Sequence, residues 1–347
     1  MNRLVIIGNG FDLAHGLPTS YKDFIVDYVV EKANLFQESG FYEDSLISFS
    51  SVQGGRSFKK VKFVTIAEVD RFFEDPHWNF ECKSSLFGIL KEKLETVSWL
   101  DVESEYFQSV LNCKNPKGVF DNKKLEKLNE EFDYLKETFE AYLQKINLTN
   151  TKEKARYRNA FCEEIKKEDT VFKEIKADVL PDKVLFLNFN YTATINKYIR
   201  ECNNKISTDV NFIHGELGNS ENPIIFGFGD EYDKNYREFE DLKNNSLFKH
   251  IKSFNYFKTQ NYHDLIRFIE ADDFQVYIFG HSCGLSDRTM LKEIFENEKC
   301  ISIKIYYYKI DDKVNDYVEK TMEISRHFED KGLMRKKIVP FPLCDAM

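Results

Sequence analysis

The sequence has no long apolar run, no Cys-x-x-Cys pair and no excess of positive charge. No stretch approaches the ~18 uninterrupted apolar residues of a membrane span, so no membrane association is predicted. The seven cysteines are odd in number and widely spaced, which argues against a disulfide scaffold or zinc module and predicts reduced thiols. With 49 basic and 58 acidic side chains, the net charge of −9 disfavours nucleic acid as a partner.

The N-terminal region also lacks the features of a signal peptide. It runs directly into the short strand-like segment 4–7, with neither a basic region nor a long apolar stretch before it. A cytoplasmic location is therefore expected. The 347 residues include 42% hydrophobic and 15% aromatic side chains, which suffices for a sizeable core in two domains or in one domain with an insertion.

Strand patterns alternate with helical patterns at the start of the sequence and again from residue 184 onward. Short apolar or alternating runs predict strands at 3–7, 184–187, 210–213, 275–279 and 301–306. Helical patterns lie between most of them, at 192–201, about 236–270, 287–297 and 312–328. This alternation predicts an α/β fold with a Rossmann-type parallel sheet that is covered on both faces.

The residues between the first strand–helix unit and the remaining strands predict a large, mainly helical insertion. Residues 34–60 are rich in serine and glycine and predict a loop, with a lid over a ligand as the alternative. An apolar stripe from Leu125 to Ile146 predicts a long helix packed in its own bundle rather than in a dimerising coiled coil. The predicted domains are 1–33 plus 181–347, and 34–180.

In parallel sheets, ligands bind outside the carboxyl ends of the strands, so the residues that follow each predicted strand are the candidates for a site. The first cluster is Gly8-Asn9-Gly10-Phe11-Asp12. Its glycines suit either a tight strand-to-helix turn or a loop whose N–H groups cradle a pyrophosphate. The third glycine of G-x-G-x-x-G is absent because position 13 is leucine, and Asp12 could serve only as a helix N-cap.

Two further clusters follow the second and third predicted strands. In Asn188-Phe189-Asn190-Tyr191-Thr192, Asn188 suits a structural role, and Asn190 is the better candidate to hold a water or a ribose hydroxyl. His214 and Gly215 come next, and the histidine is a candidate base because the glycine admits close approach of a ligand. The other histidines have no such context.

The fourth cluster, Gly280-His281-Ser282-Cys283-Gly284, follows a predicted strand and matches the G-x-S-x-G pattern of serine hydrolases. A catalytic triad would need a later histidine, and only His327 is available. Because His327 lies in a charged helical run, the hydrolase interpretation is the lesser alternative. Ser286 or Asp287 is predicted to cap the helix that follows.

In order and spacing, these clusters resemble the bacteriophage abortive-infection AbiH family over nearly the whole chain. The matching elements are I-G-N-G-F-D-L-A-H-G-L-P-T-S-Y, N-F-N-Y-T, I-H-G and F-G-H-S-x-G-x-S-D, together with W-x-D-x-E at 99–103. Cys283 departs from this pattern, in which a leucine is expected.

More distantly, the same clusters resemble sirtuin-like NAD-binding domains. The resemblance matches Gly8, Gly10, Gly16, Leu17 and Pro18 to the loop that binds NAD phosphates and ribose, Asn190 to the asparagine near the nicotinamide ribose, His214 and Gly215 to the H-G pair, and Gly280, Ser282 and Asp287 to the turn on the adenosine side. Asp12 replaces the sirtuin serine, and Thr192 replaces the aspartate of T-x-N-x-D. The four-cysteine zinc ribbon has no counterpart, so a protein deacylase is not expected.

These resemblances together imply an antiphage NAD glycohydrolase with NAD as substrate and no metal. Asn190 and His214 are the expected catalytic residues. The expected NAD-binding residues are Gly8, Asn9, Gly10, Phe11, Asp12, His15, Tyr191, Gly215, Gly280, Ser282 and Asp287. A nucleotide or ADP-ribose sensor that does not hydrolyse its ligand, or an interaction protein acting through its helical domain, is the alternative. A phage-derived trigger and a homo-oligomer are the partners that this model implies.

Overall fold

The computed structural model describes residues 1–52, 61–94 and 98–347. The strands described there are β1 (Asn2–Ile7), β2 (Phe41–Glu43), β3 (Ile47–Ser51), β4 (Trp78–Cys82), β5 (Lys183–Asn188), β6 (Ser207–Phe212), β7 (Phe274–Phe279) and β8 (Cys300–Tyr306). The helices are α1 (Asn9–Ala14), α2 (Tyr21–Ser39), α3 (Ile66–Phe73), α4 (Ser85–Glu92), α5 (Trp99–Leu111), α6 (Asn122–Gln144), α7 (Ala155–Phe161), α8 (Asn196–Asn203), α9 (Tyr236–Leu242), α10 (Lys252–Asn255), α11 (Asn261–Ala271), α12 (Arg288–Glu296), α13 (Tyr317–Ser325) and α14 (Lys331–Lys337).

The five strands predicted at residues 3–7 and from residue 184 onward form one parallel sheet. Their order is β6-β5-β1-β7-β8, and each neighbouring pair is parallel. Strands β1, β7 and β8 are buried along their whole length, as expected where both faces are covered. The predicted α/β class with a parallel sheet is confirmed.

Helices cover both faces of this sheet. Leu4 and Ile6 of β1 share a core with α11, α12 and α13, whereas Val5 and Ile7 share a core with α7 and α8. Successive side chains of a strand point to opposite faces, so β1 contributes to both cores. Because α7 lies within the range 34–180, the packing crosses the predicted domain boundary there.

The inserted region has a third core, built from helices and a small antiparallel sheet of order β2-β3-β4. The sheet is an addition to the predicted helical architecture. The predicted long helix is α6, whose apolar stripe is buried beside α2, α4 and α5 of the same chain. Its interpretation as a bundle helix is confirmed. Aromatic and aliphatic residues within 226–251 also join this core, although the sequence assigns them to the α/β domain.

Two local predictions are wrong. Helix α2 continues to Ser39 and is followed by β2 and β3, where the sequence predicts a loop. Ile47 and Phe49 of β3 are fully buried and alternate with serines, a strand pattern that the high serine content conceals. Residues 53–60, the remainder of the predicted loop or lid, lie outside the described residues. The helix predicted over 236–270 is three separate helices, α9, α10 and α11.

The structure also bears on the classes that composition disfavours. Among the helices of the described ranges, none combines the length and apolar character needed to cross a membrane. All seven cysteines are free thiols, and Cys82 is the least buried of them.

Candidate functional site

The carboxyl ends of β1, β5, β6 and β7 surround a cavity of about 250 Å³. The predicted residues that line it are Gly8, Asn9, Gly10, Asp12, Asn190, Tyr191, His214, Gly280, Ser282 and Asp287. Glu103 and Phe139 of the inserted region close the cavity from the other side. All four sequence clusters therefore meet at one cavity between the parallel sheet and the insertion.

The glycines after β1 and β7 allow two loops to touch. A Cβ on Gly8 would lie 2.5 Å from the Cα of His281, and a Cβ on Gly10 would lie 2.8 Å from the Cα of Gly280. The N–H of Gly8 donates to the Phe279 carbonyl at 3.0 Å, and that of Gly10 donates to the Gly280 carbonyl at 2.9 Å. These two amides are therefore engaged by the protein, and the expected cradle of Gly8 and Gly10 N–H groups is not formed in this conformation.

Three residues expected to bind NAD are not among those that line this cavity. Phe11 is fully buried and packs on the ring of His15. The Nδ1–H of His15 donates to the Phe11 carbonyl, and Nε2 accepts from the Tyr198 hydroxyl. Gly215 has φ +88°, and a Cβ there would lie 2.3 Å from the Pro223 carbonyl oxygen. Close packing explains this glycine without a ligand.

The two asparagines after β5 have different roles. The side-chain amide of Asn188 donates to the carbonyls of Asn190 and Thr192, at 3.0 and 3.1 Å. It ties down the loop, as the sequence predicts. The side-chain amide of Asn190 donates to the Gly8 carbonyl at 3.0 Å, which holds this residue in the wall of the cavity.

Asp12 is a buried carboxylate in the cavity wall. The Thr192 hydroxyl donates to its Oδ2 at 2.5 Å, while Oδ1 has no hydrogen-bond partner among the described residues. Burial raises the pKa of Asp12 to about 6, because the charged form loses hydration. Asp12 is not a helix N-cap, since α1 begins at Asn9 with Gly8 in the capping position. Its free oxygen is available to a ligand hydroxyl or to a proton.

The buried state of Asp12 predicts a pH-dependent difference in stability between wild type and Asp12→Asn. The folded-state pKa of Asp12 lies above the unfolded value of 3.8. The contribution of protonated Asp12 to the stability of the wild type is therefore complete below pH 3.8 and is lost as the pH rises through about 6. The difference between the folded and unfolded pKa values corresponds to about 3 kcal/mol in the free energy of unfolding. In urea unfolding, Asp12→Asn is expected to gain that amount relative to wild type between about pH 4 and about pH 7. A pH-independent difference would contradict the raised pKa.

His214 is a buried histidine with a fixed ring. Its Nε2 lies 3.2 Å from Asp287 Oδ1 and 3.2 Å from the Tyr256 hydroxyl. Burial, followed by the nearby Lys252 ammonium, lowers the pKa of His214 to about 4. The ring is therefore neutral at physiological pH and can accept a proton.

Two charged residues that carry no role in the sequence analysis complete this network. The Lys252 ammonium lies 2.8 Å from Glu103 Oε2 and 2.8 Å from Asp287 Oδ1. Burial raises the pKa of Glu103 to about 7. For Asp287, the Lys252 ammonium and the hydrogen bonds from His214 and His281 outweigh burial and hold the pKa well below its usual range. The W-x-D-x-E element contains Glu103, but no local pattern distinguishes Lys252 from the other lysines of its segment.

The serine hydrolase geometry is not formed. Ser282 is exposed, but the Nε2–H of His327 donates to the Cys283 carbonyl at 2.7 Å, so this ring is held by the backbone. Burial lowers the pKa of His327 to about 4. Asp287 holds the N-cap position of α12, one of the two predicted residues, but its side chain makes no capping hydrogen bond and faces Lys252 and His214 instead.

The fold and the cavity define an α/β protein with a small cavity, lined by both charged and apolar side chains, at the carboxyl edge of a parallel sheet. The family model described as Bacteriophage abortive infection AbiH matches residues 4–309, from β1 through β8 and including the insertion. The chain belongs to this family, and its membership supports a role in antiphage abortive infection. No curated protein and no solved structure matches the chain.

Proposed function

We propose that the protein is an NAD glycohydrolase that cleaves NAD to nicotinamide and ADP-ribose on phage infection. The observation that carries this proposal is the meeting of Asp12, Asn190 and His214 at one cavity. An unpartnered carboxylate oxygen, an amide and a neutral imidazole are the groups that a ribosyl hydrolase needs around the sugar.

The topology supports a nucleotide as the ligand. Numbered within the sheet alone, the strands have the order 3-2-1-4-5, which is that of the first five strands of doubly wound dinucleotide-binding folds. In such sheets the ligand binds where the strand order reverses, which here is between β1 and β7. Gly8 and Gly280 lie there, at the carboxyl ends of these two strands.

The contact between Asp12 and Thr192 supports the sirtuin-like interpretation in particular. The T-x-N-x-D segment of sirtuin-like domains has an aspartate where this chain has Thr192, and their first loop has a serine where this chain has Asp12. In this chain the two side chains are hydrogen-bonded to each other. The two departures therefore compensate, because the carboxylate stays in the site and comes from α1 instead.

The charges of the cavity suit the nicotinamide ring of NAD, which is cationic until its bond to the ribose breaks. Three carboxylates, Asp12, Glu103 and Asp287, face two ammonium groups, Lys252 and Lys320. With His214 neutral, the site is negative whenever Asp12 and Glu103 are ionised. A negative environment stabilises the cationic nicotinamide ring and the oxocarbenium-like transition state. We place the phosphates toward Lys320, the less buried of the two lysines.

In the proposed reaction, the bond between the ribose C1′ and the nicotinamide nitrogen breaks, and its electron pair stays with nicotinamide, which leaves as a neutral molecule. Asp12 accepts a hydrogen bond from a ribose hydroxyl, and Asn190 orients the water. The water oxygen bonds to C1′, and His214 takes the proton at Nδ1, since Nε2 faces Asp287. Solvent then receives this proton.

The test is incubation of the purified protein with NAD, alone and with lysate of phage-infected cells, followed by chromatography of nicotinamide and ADP-ribose. Equal amounts of both products in either sample would support the proposal. Absence of both products in both samples would contradict it. Lysate without the protein is the control for other enzymes that consume NAD.

A nucleotide sensor is the second candidate, favoured by the engaged amides of Gly8 and Gly10. Those contacts occupy two of the amides that would otherwise cradle and position the phosphates of NAD for hydrolysis. Calorimetric binding of NAD or ADP-ribose with no product in the chromatographic test would favour this function over hydrolysis.

A further inference from the structure

We infer that Glu103 is a positioning residue of the site, which reaches in from the inserted region and orients Lys252, Asp287 and, through them, His214. The inference rests on the proposed function, since it concerns the same cavity. Under this inference the insertion contributes a functional side chain to the site.

Four parts of the chain meet in this network. Glu103 lies on α5 of the insertion, Lys252 begins α10, Asp287 precedes α12, and His214 follows β6. Lys252 bridges the two carboxylates at 2.8 Å from each, and Asp287 Oδ1 also faces His214 Nε2 at 3.2 Å. The side chain of Lys252 is 1% exposed, so water does not compete for these bonds.

Glu103 is itself held in place at its second oxygen. Its Oε1 accepts the N–H of Gly227 at 3.1 Å. Gly227 has φ +157°, and a Cβ there would lie 2.0 Å from the His250 carbonyl oxygen. The close packing of Gly227 against the backbone of His250 therefore fixes the position of the N–H that binds Glu103. This contact directs Glu103 at Lys252 whether or not a ligand is bound.

A buried ion network of this kind is weak evidence for a structural role. Apolar side chains of similar volume give equal or greater stability than buried ion pairs in many proteins. The network also lines the cavity, where Asp287 faces three groups: Lys252 and His214 at Oδ1 and, 3.6 Å from Oδ2, His281. Glu103 draws the ammonium partly away from Asp287, which leaves that carboxylate able to accept from the imidazole and to hold its tautomer.

Glu103→Gln removes the charge and keeps the shape, so Lys252 is left with Asp287 as its counter-ion. We expect kcat for NAD cleavage to fall about 10–100-fold and KM to change less than about twofold, as for other outer partners of catalytic groups. Glu105→Gln is the matched control, because Glu105 lies on the same helix and pairs at the surface with Lys93. An unchanged kcat in Glu103→Gln would overturn the inference.

The pH profile distinguishes this role from a purely structural one. The titratable groups around Glu103 are Lys252, Asp287, His214, Tyr191 and Tyr256, and Asp12 lies in the same cavity. Below about pH 7, wild-type Glu103 becomes neutral and should behave like glutamine. In a plot of kcat against pH, the fall on the acidic side is therefore expected near pH 7 in wild type. In Glu103→Gln it is expected near pH 6, where Asp12 titrates. An unmoved limb would contradict the role.

A third measurement needs no catalysis. The ring ¹⁵N resonances of His214, assigned with His214→Gln, report the tautomer in the free protein. We expect Glu103→Gln to shift these resonances and Glu105→Gln to leave them in place. If wild type does not cleave NAD, the proposed function fails, and this shift alone decides whether Glu103 acts on His214; an absent shift overturns the inference.

The double variant Glu103→Gln with Lys252→Met, compared with Lys252→Met alone, tests whether Glu103 acts through Lys252. If Glu103 acts only through Lys252, the double variant has the same His214 resonances and the same kcat as Lys252→Met alone. Additive changes in kcat and in the resonances would mean that Glu103 acts independently of Lys252, and the inference would be wrong.

Discussion

His214→Ala is expected to slow NAD cleavage by about 10²–10⁴-fold, the usual contribution of a general base. The effect should fall on kcat, because in the proposed reaction the imidazole acts on the water, whereas the phosphates are placed toward Lys320. Since burial lowers the pKa of His214 to about 4, its neutral form persists at all higher pH values. The wild-type profile should therefore show no limb from the titration of His214 itself, and its acidic limb near pH 7 is that of Glu103.

The measurement is the initial rate of nicotinamide release across the pH range, with NAD binding followed by calorimetry. His263→Ala is the control, because His263 is exposed on α11, on a helix whose residues do not line the cavity. Retention of more than about a tenth of the wild-type kcat in His214→Ala would exclude the general-base role.

Lys252→Met is expected to be the most destabilising substitution in the network. It leaves Glu103 and Asp287 as buried carboxylates without their shared counter-ion. Breaking a buried ion pair by removing one partner costs about 3–5 kcal/mol, mainly because the remaining charge stays desolvated. Urea unfolding near neutral pH, analysed at constant slope, measures the loss.

Lys249→Met is the matched control for that experiment. Lys249 lies three residues earlier and pairs with Asp133 at 2.6 Å, where both side chains are more than a third exposed. A surface pair of this kind contributes about 0–1 kcal/mol. Adding Glu103→Gln to Lys252→Met should recover part of the stability, since one uncompensated carboxylate is removed. A loss equal to that of Lys249→Met would show that Lys252 is not paired as described.

The strand ends show how far local patterns predict this site. The apolar runs that become β1 and β7 are short and uninterrupted, so both their position and their parallel pairing follow from the sequence. The segments that follow β1, β5, β6 and β7 share one edge of the sheet, which is why Asp12, Asn190, His214 and Asp287 are found at one cavity. The same reasoning fails for Phe11, which α1 turns into the core, and for His15, whose half-buried ring packs on Phe11 and bonds to the Tyr198 hydroxyl.

By itself, the sequence determined the α/β class, the parallel strands and the family, because strand runs and strand-end motifs are local in the chain. Only the tertiary structure decided that Gly8 and Gly10 serve loop packing and that Glu103 and Lys252 join the cavity. These two residues come from the insertion and from the connection between β6 and β7, and the burial of residues 226–251 in the core of the insertion brings them together. Contacts between such distant segments depend on side-chain packing in three dimensions, which no periodicity along the chain encodes.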